Sequence, residues 1–328
     1  MIMKIVFILP YFGKFPNYFS LWLKSCQYNP EIDWIIFTDD RSSYDYPPNV
    51  KVNYMNFEEL RKYIQSCYDY PIQLNKPYDL CAFKVAYGEL FSEYIKQYDF
   101  WGYCDNDLIW GNFNSMIEEY VYKEYDKISW RGHMTLFRNN PDTNAIYKMD
   151  LSGIPSYKEN ITSELGYYFI DEVGINYYFK TAGIPIYENV PFADLKIRSY
   201  NFKLLHYKSE DDYKNDYQIF VWDSGSLYRY YLDKERHIQR EEFLYIHFLK
   251  RPMKVDLKID YDGKFLIVPN RFLPYQEITV DLLLKYGRNR IYFSYWLPRL
   301  KLSFLIKKIK YKYEHRFCKG MSYSPSNN

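Results

Sequence analysis

Two short, unbroken apolar runs near the start of the chain constrain its fold most. Lys4–Leu9 reads KIVFIL and stops at Pro10-Tyr11-Phe12-Gly13, and Asp33–Phe37 reads DWIIF and stops at Thr38-Asp39-Asp40. A strand with one wet face alternates, whereas a strand covered on both faces stays apolar throughout. Val50–Tyr54 supplies a third strand, and helical spacing over Phe15–Cys26 and Phe57–Gln65 fills the gaps between strands. Strands alternating with helices predict an α/β chain with a mainly parallel central sheet flanked by helices. Ligands of such sheets gather where strands end, which singles out Tyr11, Gly13, Thr38, Asp39 and Asp40.

Further along, the spacing predicts a helix over Leu80–Ile95, then an aromatic strand over Tyr98–Cys104 that runs into Asp105-Asn106-Asp107. Strands are expected at Ile128–Trp130 and Met134–Phe137, an aromatic helix at Gly166–Phe179, and strands at Leu227–Leu232 and Phe243–Phe248. Met253–Val268 reads as a hairpin turning at Asp262-Gly263. The five cysteines are scattered with no Cys-x-x-Cys pair, so neither a disulfide framework nor a zinc site is suggested. No apolar run reaches the roughly 18 residues of a membrane span, and the apolar stretch before Pro10 is short for a secretion signal. These features predict a reduced, cytoplasmic setting.

Formal net charge is +2, but it is unevenly spread. Residues 285–320 hold eleven lysines and arginines against the single acid Glu314, so the tail carries +10 and the rest of the chain −8. An acidic body argues against a nucleic-acid groove. Within the tail, Leu302, Leu305, Ile306, Ile309 and Tyr313 form one helical stripe flanked by Arg299, Lys301, Lys307, Lys308, Lys310 and Lys312. That pattern fits an in-plane helix on an anionic membrane surface, or a helix docked on its own body. Tyrosine is over-used, at 40 residues. Its flat face and hydroxyl suit sugars, and an A/T-rich genome would raise its count equally.

Asp105 and Asp107 carry the sharpest chemistry. On an extended chain i and i+2 point the same way, so both carboxylates can converge on one divalent cation such as Mn²⁺ or Mg²⁺. An Asp-x-Asp in an ordinary turn is the plain alternative. Asp171-Glu172 is a second acid pair, set among Tyr167-Tyr168-Phe169-Ile170 and Val173-Gly174, a poor setting for solvated surface.

The blocks Lys76–Lys84, Tyr87-Gly88 and Tyr98–Asn112, with Gly132–Asn139, Asp171-Glu172 and Tyr245–Arg251, together resemble bacterial surface-polysaccharide glycosyltransferases of capsule or O-antigen type. That family in turn resembles GT-A-fold Asp-x-Asp glycosyltransferases. The resemblance spans roughly residues 3–252. It implies that Asp105, Asp107 and His247 hold Mn²⁺ or Mg²⁺, and that a UDP-sugar is the donor. Lys84 would lie beside the diphosphate, Tyr11, Thr38 and Asp39 against uracil and ribose, and His133 against sugar hydroxyls, with Asn106 and Lys250 completing the donor site. Asp171, or its neighbour Glu172, would take the acceptor's proton in an inverting reaction. The implied acceptor is a polyprenyl-diphosphate-linked glycan at the inner face of the cell membrane. The expected organisation is a catalytic domain over 1–252, a hairpin extension over 253–284 and a basic tail over 285–328. A metal-dependent phosphohydrolase and a non-catalytic sugar-binding protein at the membrane are the rival readings.

Overall fold

Every residue of Ile5–Leu9 is buried, with Ile5, Phe7 and Leu9 entering one core and Val6 and Ile8 the other. The computed structural model describes residues 3–163, 170–197, 199–205, 216–257 and 263–291, with Pro298, Arg299, Leu302 and Leu305 beyond them. In it β1 (Ile5–Pro10), β2 (Ile32–Thr38), β3 (Val50–Tyr54) and β4 (Phe100–Cys104) run parallel in the order β3-β2-β1-β4. After β4 the chain turns through Asp105–Asp107 into β5 (Leu108–Trp110). β6 (Lys127–Arg131) and β7 (Met134–Arg138) then form a hairpin, whose β7 joins β4 antiparallel. β8 (Ile186–Tyr187) lies parallel to β6 and closes this seven-stranded sheet. The α/β class expected from the apolar runs is therefore present, with a parallel half and a mixed half.

Both faces of the sheet are covered, as unbroken apolar strands require. On one face α1 (Phe19–Gln27) buries Phe19, Trp22, Leu23 and Cys26 against Phe7, Trp34 and Phe100. On the other, α2 (Phe57–Ser66) buries Leu60 and Ile64 against Ile35 and Phe37. Asn56 opens α2 with a capping box, its side chain accepting from Glu59 N–H while Glu59 bonds back to Asn56 N–H. Trp22, Trp34, Trp101, Trp110 and Trp222 are fully buried. Each contributes at most about 4–6 kcal/mol by area. Exposed pairs such as Lys51–Asp33 and Arg61–Glu58 contribute about 1 kcal/mol or less, so burial holds the frame.

The expected helix over Leu80–Ile95 is broken. Pro77–Ala86 winds as a 3₁₀ helix, which stacks Leu80, Phe83 and Ala86 at three-residue spacing toward the core. Two single turns, Tyr87–Leu90 and Ser92–Ile95, follow it. Gly88 sits where any Cβ would lie 2.6 Å from the Trp101 indole, so the segment presses directly on β4.

A three-stranded sheet forms beside the first. In it β9 (Phe192–Asp194) pairs parallel with a strand that in turn pairs antiparallel with β5. Before that central strand come β10 (Gln218–Asp223), β11 (Ser226–Leu232) and β12 (Ile238–Phe243), an antiparallel meander. The chain then leaves the meander at Leu244 and enters the small sheet as β13 (Tyr245–His247). The single strand expected over Phe243–Phe248 is thus two ladders in two sheets.

β14 (Lys254–Val255), β15 (Lys264–Val268) and β16 (Arg271–Pro274) join the meander in the order β12-β11-β10-β15-β16-β14. This corrects the expected hairpin over Met253–Val268. The hairpin is β15–β16, which turns at Asn270 with φ +67°, and β14 lies parallel to β16 instead of pairing with β15. Asp262, half of the expected turn, lies outside the described residues. The sheet draws strands from both sides of residue 252, so no structural boundary falls there. Nor does a tail begin at Lys285: the helix Val280–Tyr286 buries Leu282 and Leu283 against Ile219, Val221 and Leu266. Just beyond it, Arg288 faces Asp216 at 3.5 Å and Asn289 N–H donates to Tyr200. Most of the amphipathic stripe lies outside the described residues; Leu302 and Leu305 are helical and exposed. Among the described residues no helix is long and apolar enough to cross a membrane, and Cys26, Cys67, Cys81 and Cys104 are unpaired.

Candidate functional site

The Asp-x-Asp turn is held by its backbone before its side chains act. Asp105 N–H donates to His133 O at 3.0 Å, and Asp107 O accepts from Phe248 N–H at 2.8 Å. The turn therefore sits between the β6–β7 hairpin and the end of β13. Asp107 Oδ2 accepts from Lys250 N–H at 2.6 Å. That N–H is aimed by Leu249 and Lys250, both left-handed at φ +51° and +59°. Two such non-glycine residues in a row cost roughly 1–2 kcal/mol each, a strain typical of functional sites. Lys250 thus serves through its backbone, while its Nζ lies 4.3 Å from the Tyr78 ring centre.

His247 occupies the third corner. Its Nε2 lies 3.2 Å from Asp107 Oδ1 and 3.8 Å from Asp105 Oδ2, and its Nδ1 lies 2.9 Å from Asp194 Oδ1. Burial works against charge on His247, but Asp107 and Asp194 outweigh it and lift the imidazole to about 10. Burial likewise opposes ionisation of Asp107, and the His247 charge with the Lys250 N–H holds it down at about 2. Ligand atoms of Asp105, Asp107 and His247 all fall within 4.8 Å of one another. Two carboxylates and an imidazole suit a divalent ion, the imidazole weighing toward a transition metal over Mg²⁺. A second trio, His133, Asp194 and His247, meets the same distance. It is wholly buried, and Asp194 Oδ1 is already engaged by His247, so it forms the backing of the first.

Lys84 and Asp171 complete the floor. Lys84 Nζ donates to Asp105 Oδ1 at 2.9 Å and Gly132 O at 2.8 Å, and lies 3.7 Å from Asp171 Oδ2. Although burial opposes its charge, Asp105 with Cys81 and Asp171 holds the ammonium well above the usual lysine range. Burial, opposed by Lys84 and reinforced by Glu172 and Asp105, pushes Asp171 up to about 7. Asp171 lies on a π-helical turn, Ile170–Gly174, a local unwinding often found at functional sites. Glu172 is more open and accepts from Gly132 N–H at 3.3 Å. A Cβ on Gly132 would meet Asp171 Oδ2 at 2.8 Å and Glu172 Cγ at 2.7 Å, so only glycine lets the hairpin approach both acids.

These groups line one cleft of about 860 Å³, with Tyr11, Tyr78, Asn106 and Arg131 on its walls. Asn106 is buried there, its side chain beside the Tyr11 hydroxyl. A cleft of similar volume, about 870 Å³, adjoins it across Asn17, Pro252 and Met253. That second cleft has no acid or histidine among its described lining residues.

Of the residues singled out by sequence, Tyr11, Lys84, Asp105, Asn106, Asp107, His133, Asp171, Glu172, His247 and Lys250 all line the first cleft. Thr38 and Asp39 are not among its lining residues. Thr38 is fully buried and its hydroxyl accepts from Asp40 N–H, while Asp39 accepts from Gly13 N–H at 2.7 Å. Thr38 thus braces the turn after β2, and Asp39 ties that turn to the loop after β1. The loop's anchor is Asp40, which is buried and takes Lys14, Ser42 and Phe15 N–H together. His133 lies deeper than expected, stacked on His247 with ring centres 4.4 Å apart and its Nδ1 3.1 Å from the Tyr245 hydroxyl. Burial, with the His247 charge, holds His133 well below the ordinary histidine value. Asp194, Arg131 and Tyr78 were missed. Asp194 stands in an unremarkable Pro-Phe-Ala-Asp-Leu stretch, and only strand pairing brings it to His247.

Compared with known families, the chain belongs to a family of unknown function (DUF6625), matching it over residues 7–276. That span contains all three sheets but for the first two residues of β1, and every residue of the cleft named above. A comparison with curated proteins returns no match.

Removing the cation that Asp105 and Asp171 share should expose its role. Lys84→Met is expected to lower stability at pH 8 by about 3 kcal/mol or more, because buried carboxylates lose their partner. The loss should shrink at pH 5.5, where Asp171 carries its proton. Thermal melts at the two pH values check this; an equal loss at both would contradict it.

Proposed function

We propose that this protein is a divalent-metal-dependent glycosyltransferase of GT-A type. It moves a hexose from a UDP-sugar to a lipid-linked oligosaccharide in bacterial surface-polysaccharide synthesis. One observation carries the reading: Asp105, Asp107 and His247 converge beside Lys84, where the parallel strand β4 ends. The raised Asp171 supports it, since a base must be unprotonated near neutral pH yet basic enough to accept a proton.

In this reading Asp105, Asp107 and His247 hold Mn²⁺ or Mg²⁺, which supplies positive charge to a departing diphosphate. Lys84 adds a fixed cation on the same side, already oriented by Gly132 O and Asp105. Asp171 takes the proton from the acceptor hydroxyl as its oxygen bonds to the anomeric carbon. The bond from that carbon to the diphosphate oxygen breaks, and UDP leaves with the electron pair. The Tyr103 hydroxyl, which donates to Asp171 O, and Lys84 hold Asp171 in place, and Tyr11 and Asn106 offer polar groups to the donor. The buried trio behind His247 is the one feature that favours a two-metal phosphohydrolase. Its His247 Nδ1 is already bonded to Asp194 Oδ1 and its His133 Nδ1 to the Tyr245 hydroxyl, which leaves it little room for a second ion.

Incubating the protein with UDP-sugars and Mn²⁺ should release UDP, and EDTA should abolish release. Asp171→Asn is expected to lower kcat about 10²–10⁴-fold and to erase the acid limb of the pH profile. The sign follows from the raised value: protonated Asp171 cannot act as a base, so wild-type activity falls below about pH 7. UDP release untouched by EDTA would sink the reading, and turnover of simple phosphoesters without acceptor would favour a phosphohydrolase.

We also propose that the basic stretch after Ile291 holds the protein at the anionic inner face of the cell membrane. A chain ending at Ile291 keeps the helix Val280–Tyr286, whose Leu282 and Leu283 are buried. It should turn over donor in solution yet sediment less with anionic vesicles than the full chain; equal sedimentation would remove the claim.

A further inference from the structure

We infer that Asp194 is a positioning residue that fixes which nitrogen of His247 faces the Asp105–Asp107 pair. The inference rests on the metal-binding reading of that pair. β9 and β13 run parallel with Asp194 directly opposite His247, and β13 and β5 run antiparallel with His247 opposite Leu108. The small sheet thus sets a carboxylate, an imidazole and the Asp-x-Asp turn in one row. Asp194 Oδ1 lies 2.9 Å from His247 Nδ1, and Nε2 points the other way, 3.2 Å from Asp107 Oδ1.

To take a cation, the charged His247 must give up one of its two ring protons, and only the nitrogen left bare can bind. Were Nδ1 bare, its lone pair would face a carboxylate oxygen at hydrogen-bond distance, and the two would repel. Asp194 therefore keeps the proton on Nδ1 and leaves Nε2 as the ligand atom. Its other oxygen lies 3.8 Å from His133 Nε2, so the carboxylate also backs the ring stacked on His247. The site is buried on all three members, which prevents water from substituting for the carboxylate.

Asp194→Asn keeps the shape but lets the amide N–H turn toward Nδ1, which favours the opposite tautomer. In full-length protein labelled with ¹⁵N-histidine and saturated with diamagnetic Mg²⁺, wild-type His247 should keep Nδ1 protonated and Nε2 bare, and Asp194→Asn should lose that preference in part. By electron paramagnetic resonance, the variant's Mn²⁺ dissociation constant should rise about 10–100-fold, as is usual when a ligand's hydrogen-bond partner is lost. Wild-type His247 with a bare Nδ1, or a folded Asp194→Asn that binds Mn²⁺ as tightly as wild type, would overturn the inference. Should Asp194→Asn not fold, the wild-type spectrum alone decides. If wild type binds no Mn²⁺, the metal reading fails, while a hydrogen-bond-shifted Nδ1 proton on wild-type His247 still tests the pairing with Asp194, and its absence would overturn that pairing.

Discussion

Four carboxylates, from Asp105, Asp107, Asp171 and Asp194, meet at the floor of one cleft, and all but Asp105 are buried. Like charges 4 Å apart oppose one another by about 4 kcal/mol at the screening typical of protein sites. An unpaired buried carboxylate is costlier still. The protein meets this with two cations. Lys84 stands between Asp105 and Asp171, and His247 stands between Asp107 and Asp194. Arg131 and Lys250 add positive charge from the same cleft, acting on Asp194 and Asp107, and Asp171 holds its proton up to about pH 7. A site lined by oxygen and nitrogen donors suits a divalent cation.

The fold exists around that arrangement in a traceable way. Apolar strands covered on both faces put the end of β4 deep between two cores, so the turn after it is buried from the outset. The meander then hands the chain to β13, which delivers His247, and β9 brings Asp194 alongside. Close glycine contacts finish the assembly: Gly132 admits the β6–β7 hairpin to Asp171 and Glu172. Strain is spent locally, at Leu249 and Lys250, where it aims one N–H at Asp107.

Much of this was legible in the sequence because it depends on local pattern. Unbroken apolar runs mark doubly covered strands, and the Asp-x-Asp after YDFWGYC marks a buried turn. His247 and Lys84 are reached through the resemblance carried by the ordered blocks, not through a local pattern of their own. What escaped depends on partners distant in sequence. Asp194 acquires its role only through pairing with β13, 53 residues away. The β15–β16 hairpin was displaced because Asp262-Gly263 looks locally like a turn, whereas the ladder is set by β10. Thr38 and Asp39 stand outside the cleft for a related reason. Residues that end a strand can either face a ligand or build the loop that does, and Asp40 shows the second outcome. Lys285 looked like the start of a free tail because charge was counted without the buried Leu282 and Leu283 beside it.

The central claim is that Asp105, Asp107 and His247 form a cation site serving a nucleotide-sugar diphosphate. Crystals grown with Mn²⁺ and UDP test it most directly, through anomalous scattering at the manganese edge. The account predicts one peak in ligand contact with both carboxylates and His247 Nε2, with the diphosphate beside it and near Lys84. UDP bound in the cleft without a metal peak, or manganese ligated elsewhere, would contradict it.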